Sequence, residues 1–101
     1  MAYYADKDER SRLIDGLRAV AQFLQDHPDV PAPRWADVLV FPPDSTDEEE
    51  RTEIDMIAAR IGTETSESTR GHYSCSISFG SVEYRAVAIP ETPKSSEEKG
   101  A

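Results

Sequence analysis

The sequence has one cysteine, one tryptophan and no long run of apolar residues. A single cysteine cannot form a disulfide within the chain, so no disulfide framework supports the fold. No apolar segment approaches the roughly 20 residues that a transmembrane helix requires. The first residues, MAYYADKDERSR, lack the apolar core of a secretory signal peptide. From these absences we expect a cytoplasmic protein that does not associate with membranes.

The sequence also lacks the short motifs by which common catalytic and cofactor sites are identified. It contains no P-loop, no GxSxG elbow, no HExxH pair and no CxxC pair. His72 and Cys75 are close in sequence, but three positions apart in a strand their side chains point to opposite faces. They therefore cannot act together as a base and a nucleophile. We predict a non-enzymatic protein with no catalytic residue, no cofactor and no metal.

Cations are scarce, because 11 lysines and arginines stand against 20 acidic residues, a formal net charge of −9. The excess is concentrated in residues 35–62, where eight acidic side chains accompany two arginines and the net charge is −6. DNA and RNA repel such a surface, so direct nucleic-acid binding is not expected. An acidic protein of this kind can instead act as a DNA mimic. Its carboxylates then take the place of phosphates and inhibit a nucleic-acid-binding protein.

The acidic segment DSTDEEERTEID has two interpretations. In the first, Glu49, Glu50 and Glu53 are partner-binding residues that contact a DNA-binding protein by charge complementarity. In the second, acidic residues in the first turn of a helix stabilise that helix by complementing its dipole, by roughly 0.3–1 kcal/mol each. The second interpretation requires no partner, and the sequence favours it.

Residues 6–27 are predicted to form an amphipathic helix. Asp6 followed by Glu9 resembles a capping box at its start, and His27 stands before a proline, which ends the helix. Gly16 inside the pattern costs up to about 1 kcal/mol relative to alanine, which indicates close contact with a neighbouring element. The predicted apolar stripe consists of Leu13, Ile14, Leu17, Val20, Ala21 and Leu24.

A second helix and two strands follow along the chain. The helix is predicted to begin with a capping box of Ser45 and Glu48 and to end at Gly62. Residues 36–41, ADVLVF, are too short for a helix and too apolar for a loop, so they predict a strand. Residues 63–68, TETSES, predict a polar edge strand. The apolar stripe of the second helix consists of Ile54, Ile57, Ala58 and Ile61.

The segment HYSCSISFGSVEYRAVAI, residues 72–89, predicts a β-hairpin. Gly80-Ser81 is the kind of pair that a two-residue type II′ turn requires. A slip of one residue would move every apolar side chain to the other face, so the turn and the pattern support one register. Cys75 is predicted to be a buried, unreactive thiol on the apolar face. That face consists of Tyr73, Cys75, Ile77, Phe79, Val82, Tyr84, Ala86 and Ala88.

Together these elements predict an α+β fold in the order α-β-α-β-β-β. Two helices pack on one face of a four-stranded mixed, mostly antiparallel sheet. The favoured spatial order is 2-3-4-1, with the first strand parallel to the fourth, and the alternative places the first strand beside the second through a right-handed crossover. Residues 1–90 are predicted to form a single domain. Residues 91–101 contain no large apolar side chain and are predicted to be a disordered tail.

Helices on one face leave the other face of the sheet open. Val87 and Ile89 lie on that open face, at the end far from the turn, with His72 and Arg85 at the margin. Such an apolar patch with a polar rim is typical of an interaction site. We therefore predict that these four residues bind a protein partner or a second copy of the chain.

The first strand contributes to this surface in one of two ways. Either Val38 and Val40 or Leu39 and Phe41 join the patch, depending on which side of the strand faces the helices. The alternative to an exposed patch is that Trp35 or the tail after residue 90 folds back and covers it.

Four stretches of the chain carry a resemblance to known sequences. They are LIDGLRAVAQFLQDHPDVPAPRW, VLVF, DMIAARIG and HYSCSISFGSVEYRAVAIP. Over roughly residues 10–90 the chain resembles short proteins of actinobacteria and their phages or mobile elements. The most specific piece is HY, a spacer, FG and then VEYRAVAIP. The resemblance implies an accessory protein of phage or plasmid origin, and it carries no activity and no site residue to this chain.

Overall fold

The computed structural model describes residues 4–90 and confirms the predicted α+β fold, with two helices and a four-stranded mixed sheet. The chain divides into two compact units, one that ends at Arg34 and one that begins at Trp35. The single domain over residues 1–90 stays a prediction, and the predicted disordered tail, residues 91–101, lies outside the described residues. The elements are α1 Lys7–Asp26, β1 Ala36–Val40, α2 Asp47–Ile61, β2 Thr65–Glu67, β3 Tyr73–Phe79 and β4 Val82–Ala88.

Helix α1 begins with the predicted capping box. The Asp6 carboxylate accepts a hydrogen bond from the backbone N–H of Glu9, and the Glu9 carboxylate accepts one from the N–H of Asp6. The helix ends at its C-cap, His27, whose N–H donates to the carbonyl of Phe23. The predicted close contact at Gly16 is wrong for the described residues, because a Cβ built there would meet nothing within 4 Å.

The sheet has the favoured strand order, which reads β1-β4-β3-β2 across the sheet. Strand β1 runs parallel to β4, and the other pairs are antiparallel. The hairpin register is confirmed, since Phe79 pairs with Val82 and Tyr73 pairs with Ala88. Gly80 has φ +67°, and no non-glycine residue between positions 4 and 90 has a positive φ, so the turn has the type II′ pattern.

Helix α2 begins one residue later than predicted. Its N-cap is Thr46, whose hydroxyl accepts from the N–H of Glu49 at 3.1 Å, so the predicted capping box of Ser45 and Glu48 is wrong. Ser45 lies just outside the helix because its N–H donates to the carboxylate of Glu50 at 2.9 Å. The end of the helix at Gly62 is confirmed by a left-handed backbone with φ +73°.

Helix α2 packs on the predicted face of the sheet, which we call the helix-covered face. Ile54 is fully buried there, and Ala58 packs with it against Cys75 and Ala86. The packing of α1 on this face stays a prediction, since α1 belongs to the other compact unit.

Helix α2 covers only the end of the hairpin that lies away from its turn. Phe79 and Val82, at the turn end, are 65% and 42% exposed, so their predicted burial is wrong. Among residues 4–90, no helix has the length and apolar character that crossing a bilayer requires.

Candidate partner-binding surface

The parallel pairing of β1 with β4 decides which side chains reach the open face. Leu39 lies level with Arg85, which the hairpin register places on the open face. Val38 and Val40 alternate with Leu39 and therefore point to the helix-covered face, where Val40 packs against the core. Of the two apolar pairs, Leu39 and Phe41 are thus the ones on the open face.

Three large apolar side chains are exposed on or just beyond the adjacent strands β1 and β4. Leu39 is 50% exposed, Phe41 42% and Ile89 47%. Leu39 belongs to β1, Phe41 lies one residue beyond it, and Ile89 lies one residue beyond β4. We call these three residues the apolar patch.

Two residues near the patch differ from their expected roles. Val87, predicted to be part of an exposed surface, is buried at 9% exposure. It lies in β4, a central strand with a neighbouring strand on each side, and its partner Ser74 is equally buried. Trp35 is 67% exposed and precedes the end of β1 that bonds to Ser81 at the hairpin turn, so it does not cover the patch as the alternative expected. The predicted contact surface thus shifts from Val87 towards Leu39 and Phe41.

Polar groups border the apolar patch. Arg85 forms an ion pair with Glu83, two residues away on the same strand. His72 is half-buried, and its backbone N–H and carbonyl are both hydrogen-bonded to Ser68. An apolar centre with a polar margin matches the anatomy of protein interfaces.

The part of the open face that β3 forms carries small polar side chains. Ser74, Ser76 and Ser78 follow one another along β3 on this side, and each pairs with a residue of β4. Ser78 is exposed, whereas Ser74 is buried at 9% exposure. Strand β4 lies between β3 and β1, so Arg85 and Glu83 separate these serines from Leu39.

The acidic side chains at the start of α2 make contacts within the chain. Hydrogen bonds from the Ser45 hydroxyl and the Thr46 backbone hold the pKa of Glu49 below its ordinary value. Glu50 is buried and accepts the hydrogen bond from Ser45 described above. Glu53 is half-buried one turn further along. These contacts support the interpretation of first-turn acids as helix-stabilising groups.

Arg51 connects α2 to the sheet through contacts that the sequence pattern did not reveal. Its guanidinium Nη2 lies 2.8 Å from Oε1 of Glu67, and that hydrogen bond raises the pKa of Arg51. Its Cζ lies 4.2 Å from the ring centroid of Tyr73, whose hydroxyl donates to the carboxylate of Asp55. Glu67 and Tyr73 lie 16 and 22 positions from Arg51, and Asp55 lies 18 positions from Tyr73, so no local spacing in the sequence signals these contacts.

Cys75 is buried beneath α2. It is 3% exposed, and its Sγ lies 3.8 Å from the backbone carbonyl oxygen of Ile54. Burial raises the pKa of the thiol, which disfavours the nucleophilic thiolate. The predicted burial is confirmed, and low reactivity stays a prediction.

The cavity at the start of α2 is small. Its volume is about 110 Å³, below the roughly 300–1,000 Å³ of typical ligand pockets. Among residues 4–90, no three His, Cys, Asp or Glu side chains converge in a way that could hold a metal ion. The cavity is lined by Asp47, Glu50, Arg51, Glu67, Gly71, Ala88, Ile89 and Pro90.

No protein-family model, curated protein or solved structure matches this chain. The resemblance to short actinobacterial and phage proteins therefore stays a prediction.

Proposed function

We propose that this chain is a small acidic, non-enzymatic accessory protein that acts by binding another protein through the apolar patch. The observation that carries the proposal is the exposure of three large apolar side chains, Leu39, Phe41 and Ile89, on or just beyond two adjacent strands. Three large apolar side chains exposed together mark an interaction site more strongly than single exposed residues do. The origin in a phage or mobile element is part of the same proposal and rests on the resemblance alone.

The charge of the chain specifies the chemistry of the partner. The segment from residue 35 to residue 62, which contains Leu39 and Phe41, carries a net charge of −6. Arg85, the cation beside Leu39, is already neutralised by Glu83. A partner with an apolar contact surface bordered by lysine or arginine is therefore complementary to this face.

Inhibition of a nucleic-acid-binding protein is the second candidate. The exposure of Asp47, Glu48 and Glu49 at the start of α2 favours it, because successive carboxylates can stand in for phosphates. The burial of Glu50 and its bond to Ser45 weaken it, because this carboxylate is engaged within the chain. We therefore place the acidic helix second.

The test is affinity capture from a lysate of the source cells with three forms of the tagged chain. The forms are the native chain, the double variant Leu39→Asp/Ile89→Asp and the control Ser78→Asp, which adds a charge at an exposed position of the same face. The native chain and the control should recover a basic partner that the double variant loses. Circular dichroism should show that all three are folded. Equal recovery by all three forms would overturn the proposal.

A further inference from the structure

Helix α1 exposes an apolar stripe along its length. Among its residues none is buried, and Leu24 is the only one that is even half-buried. Most of the stability of helices in proteins comes from packing an apolar face against another element. The exposed side chains are Leu13 at 50%, Ile14 at 41%, Leu17 at 46%, Val20 at 57% and Phe23 at 47%.

The exposed area of this stripe is the size that self-association needs. Five large side chains at about half exposure present on the order of 500 Å² of surface, which exceeds the few hundred Å² of a typical monomer's apolar patch. Two such stripes packed together would bury roughly 1,000 Å², which reaches the lower limit of specific interfaces. The stripe is therefore large enough to pair with a second copy of itself.

We propose that α1 pairs antiparallel with α1 of a second copy of this chain, and that this pairing replaces the predicted packing of its apolar stripe on the sheet. The apolar positions follow intervals of four, three and four residues, the spacing of a two-helix seam. In an antiparallel pair centred between Leu17 and Val20, Leu17 packs against the partner's Val20. Leu13 then packs against the partner's Leu24. All four layers of the seam are thus apolar.

Gly16 fits this arrangement. A Cβ at Gly16 would meet nothing within 4 Å, so no contact among the described residues accounts for a glycine inside the helix. Gly16 directly precedes Leu17, at the centre of the proposed seam. A helix that crosses there can approach the backbone closely, since glycine has no side chain to separate the two helices.

The charges of α1 favour the antiparallel direction. Arg10 and Arg12 follow the acidic first-turn residues Asp8 and Glu9, and Asp26 ends the helix, with no basic residue in the last turn. In the register centred between Leu17 and Val20, Asp8 and Glu9 lie level with positions beyond the partner's helix end. Antiparallel pairing brings the arginines of one helix to the partner's Asp26 at both ends of the seam. Parallel pairing would instead bring Arg10 to the partner's Arg10, which is repulsive.

Sedimentation equilibrium of the full chain tests the pairing. The native chain should form a dimer that dissociates on dilution. Leu17→Asp should raise the dimer dissociation constant more than tenfold. The control Ala19→Asp, on an exposed position outside the stripe, should leave it within about threefold. A native chain that is monomeric at all concentrations would overturn the proposal, as would equal effects of the two variants.

Cross-linking keeps the test valid if Leu17→Asp unfolds α1. In a Cys75→Ala background, Leu17→Cys and Val20→Cys are oxidised separately and as a mixture. A disulfide-linked dimer in the mixture, and in neither variant alone, supports antiparallel pairing. A dimer from Leu17→Cys alone indicates parallel pairing and overturns the proposal, and so does the absence of any cross-link.

The dimerisation test of α1 and the capture test of the apolar patch can fail independently of each other. The apolar patch and the α1 stripe share no residue. The Leu17→Asp variant should still capture the partner that requires Leu39 and Ile89, and the double variant at the patch should still dimerise.

Discussion

Arg51 lies over the ring of Tyr73, with its guanidinium carbon 4.2 Å from the ring centroid. The same guanidinium is hydrogen-bonded to Glu67. One side chain of α2 therefore contacts both β2 and β3. Because β2 has only three residues and lies at the edge of the sheet, this contact is an important part of what holds it.

Replacement of Arg51 by alanine should lower the free energy of unfolding by about 1 kcal/mol. An exposed cation–π contact contributes about 0.5–1 kcal/mol, and an exposed ion pair about 0.2–1 kcal/mol. Urea denaturation followed by circular dichroism measures the change. The control is Arg60→Ala, in the last turn of the same helix, which should change the value by less than about 0.5 kcal/mol. Equal losses in both variants would show that the contact with Tyr73 does not stabilise the fold.

Cys75 should react slowly with thiol reagents in the native protein. The side chain is 3% exposed, and its raised pKa keeps the thiol protonated near neutral pH. Addition of denaturant should increase the labelling rate at least about a hundredfold, as expected for a group that reacts only after unfolding. Mass spectrometry of the labelled chain follows the reaction. Rapid labelling without denaturant would contradict the burial of this thiol.

The raised pKa of Cys75 also predicts a pH dependence of stability. Above the pKa of the unfolded thiol, about 8.5, the unfolded chain loses a proton that the folded chain retains. The contribution of the Cys75 thiol to the free energy of unfolding is therefore fully present below that pH. It is lost as the pH rises through the pKa of the thiol in the folded chain. The free energy of unfolding should decline more steeply between about pH 8 and 10 for the native chain than for Cys75→Ala. Parallel curves would show that the pKa is not raised.

Val87 and Ile89 should respond differently to the same substitution. Val87→Asp places a charge in a buried position of a central strand and should cost about 3 kcal/mol or more. Ile89→Asp changes a side chain that is 47% exposed and should cost less than about 1 kcal/mol. Thermal denaturation of the two variants compares them directly. Similar losses would show that Ile89 is covered in solution and does not belong to an exposed patch.

Neutralising the acidic helix should separate the two candidate functions. In the triple variant Glu49→Gln/Glu50→Gln/Glu53→Gln, the amide at position 50 can still accept from Ser45. Binding through the apolar patch should then weaken by less than about tenfold, because rim charges contribute modestly to affinity. A loss above about a hundredfold, with steep salt dependence and competition by DNA, would instead identify the phosphate mimic.

Local rules determined the hairpin and the helix ends. The alternation of apolar side chains and the glycine at position 80 select the same register, and a shift by one residue would expose the whole apolar face. Asp6 and Gly62 act through the backbone within one helical turn, so their roles are readable from the sequence. At Ser45 the same reasoning failed, because the neighbouring Thr46 is also a suitable cap, and it is the Thr46 hydroxyl that accepts from the N–H of Glu49.

The sequence by itself therefore determined the order of the elements, the hairpin register and the face on which Cys75 is buried, because each depends on short-range periodicity and turn geometry. Only the tertiary structure decided which side of β1 is exposed. Val38, Leu39, Val40 and Phe41 are all apolar, so this strand has no polar side to mark its solvent face. The exposure of Phe79 likewise depends on where α2 crosses the sheet, and the contact of Arg51 with Tyr73 depends on packing between distant segments. Such contacts follow from how whole elements pack, for which local residue patterns contain no signal.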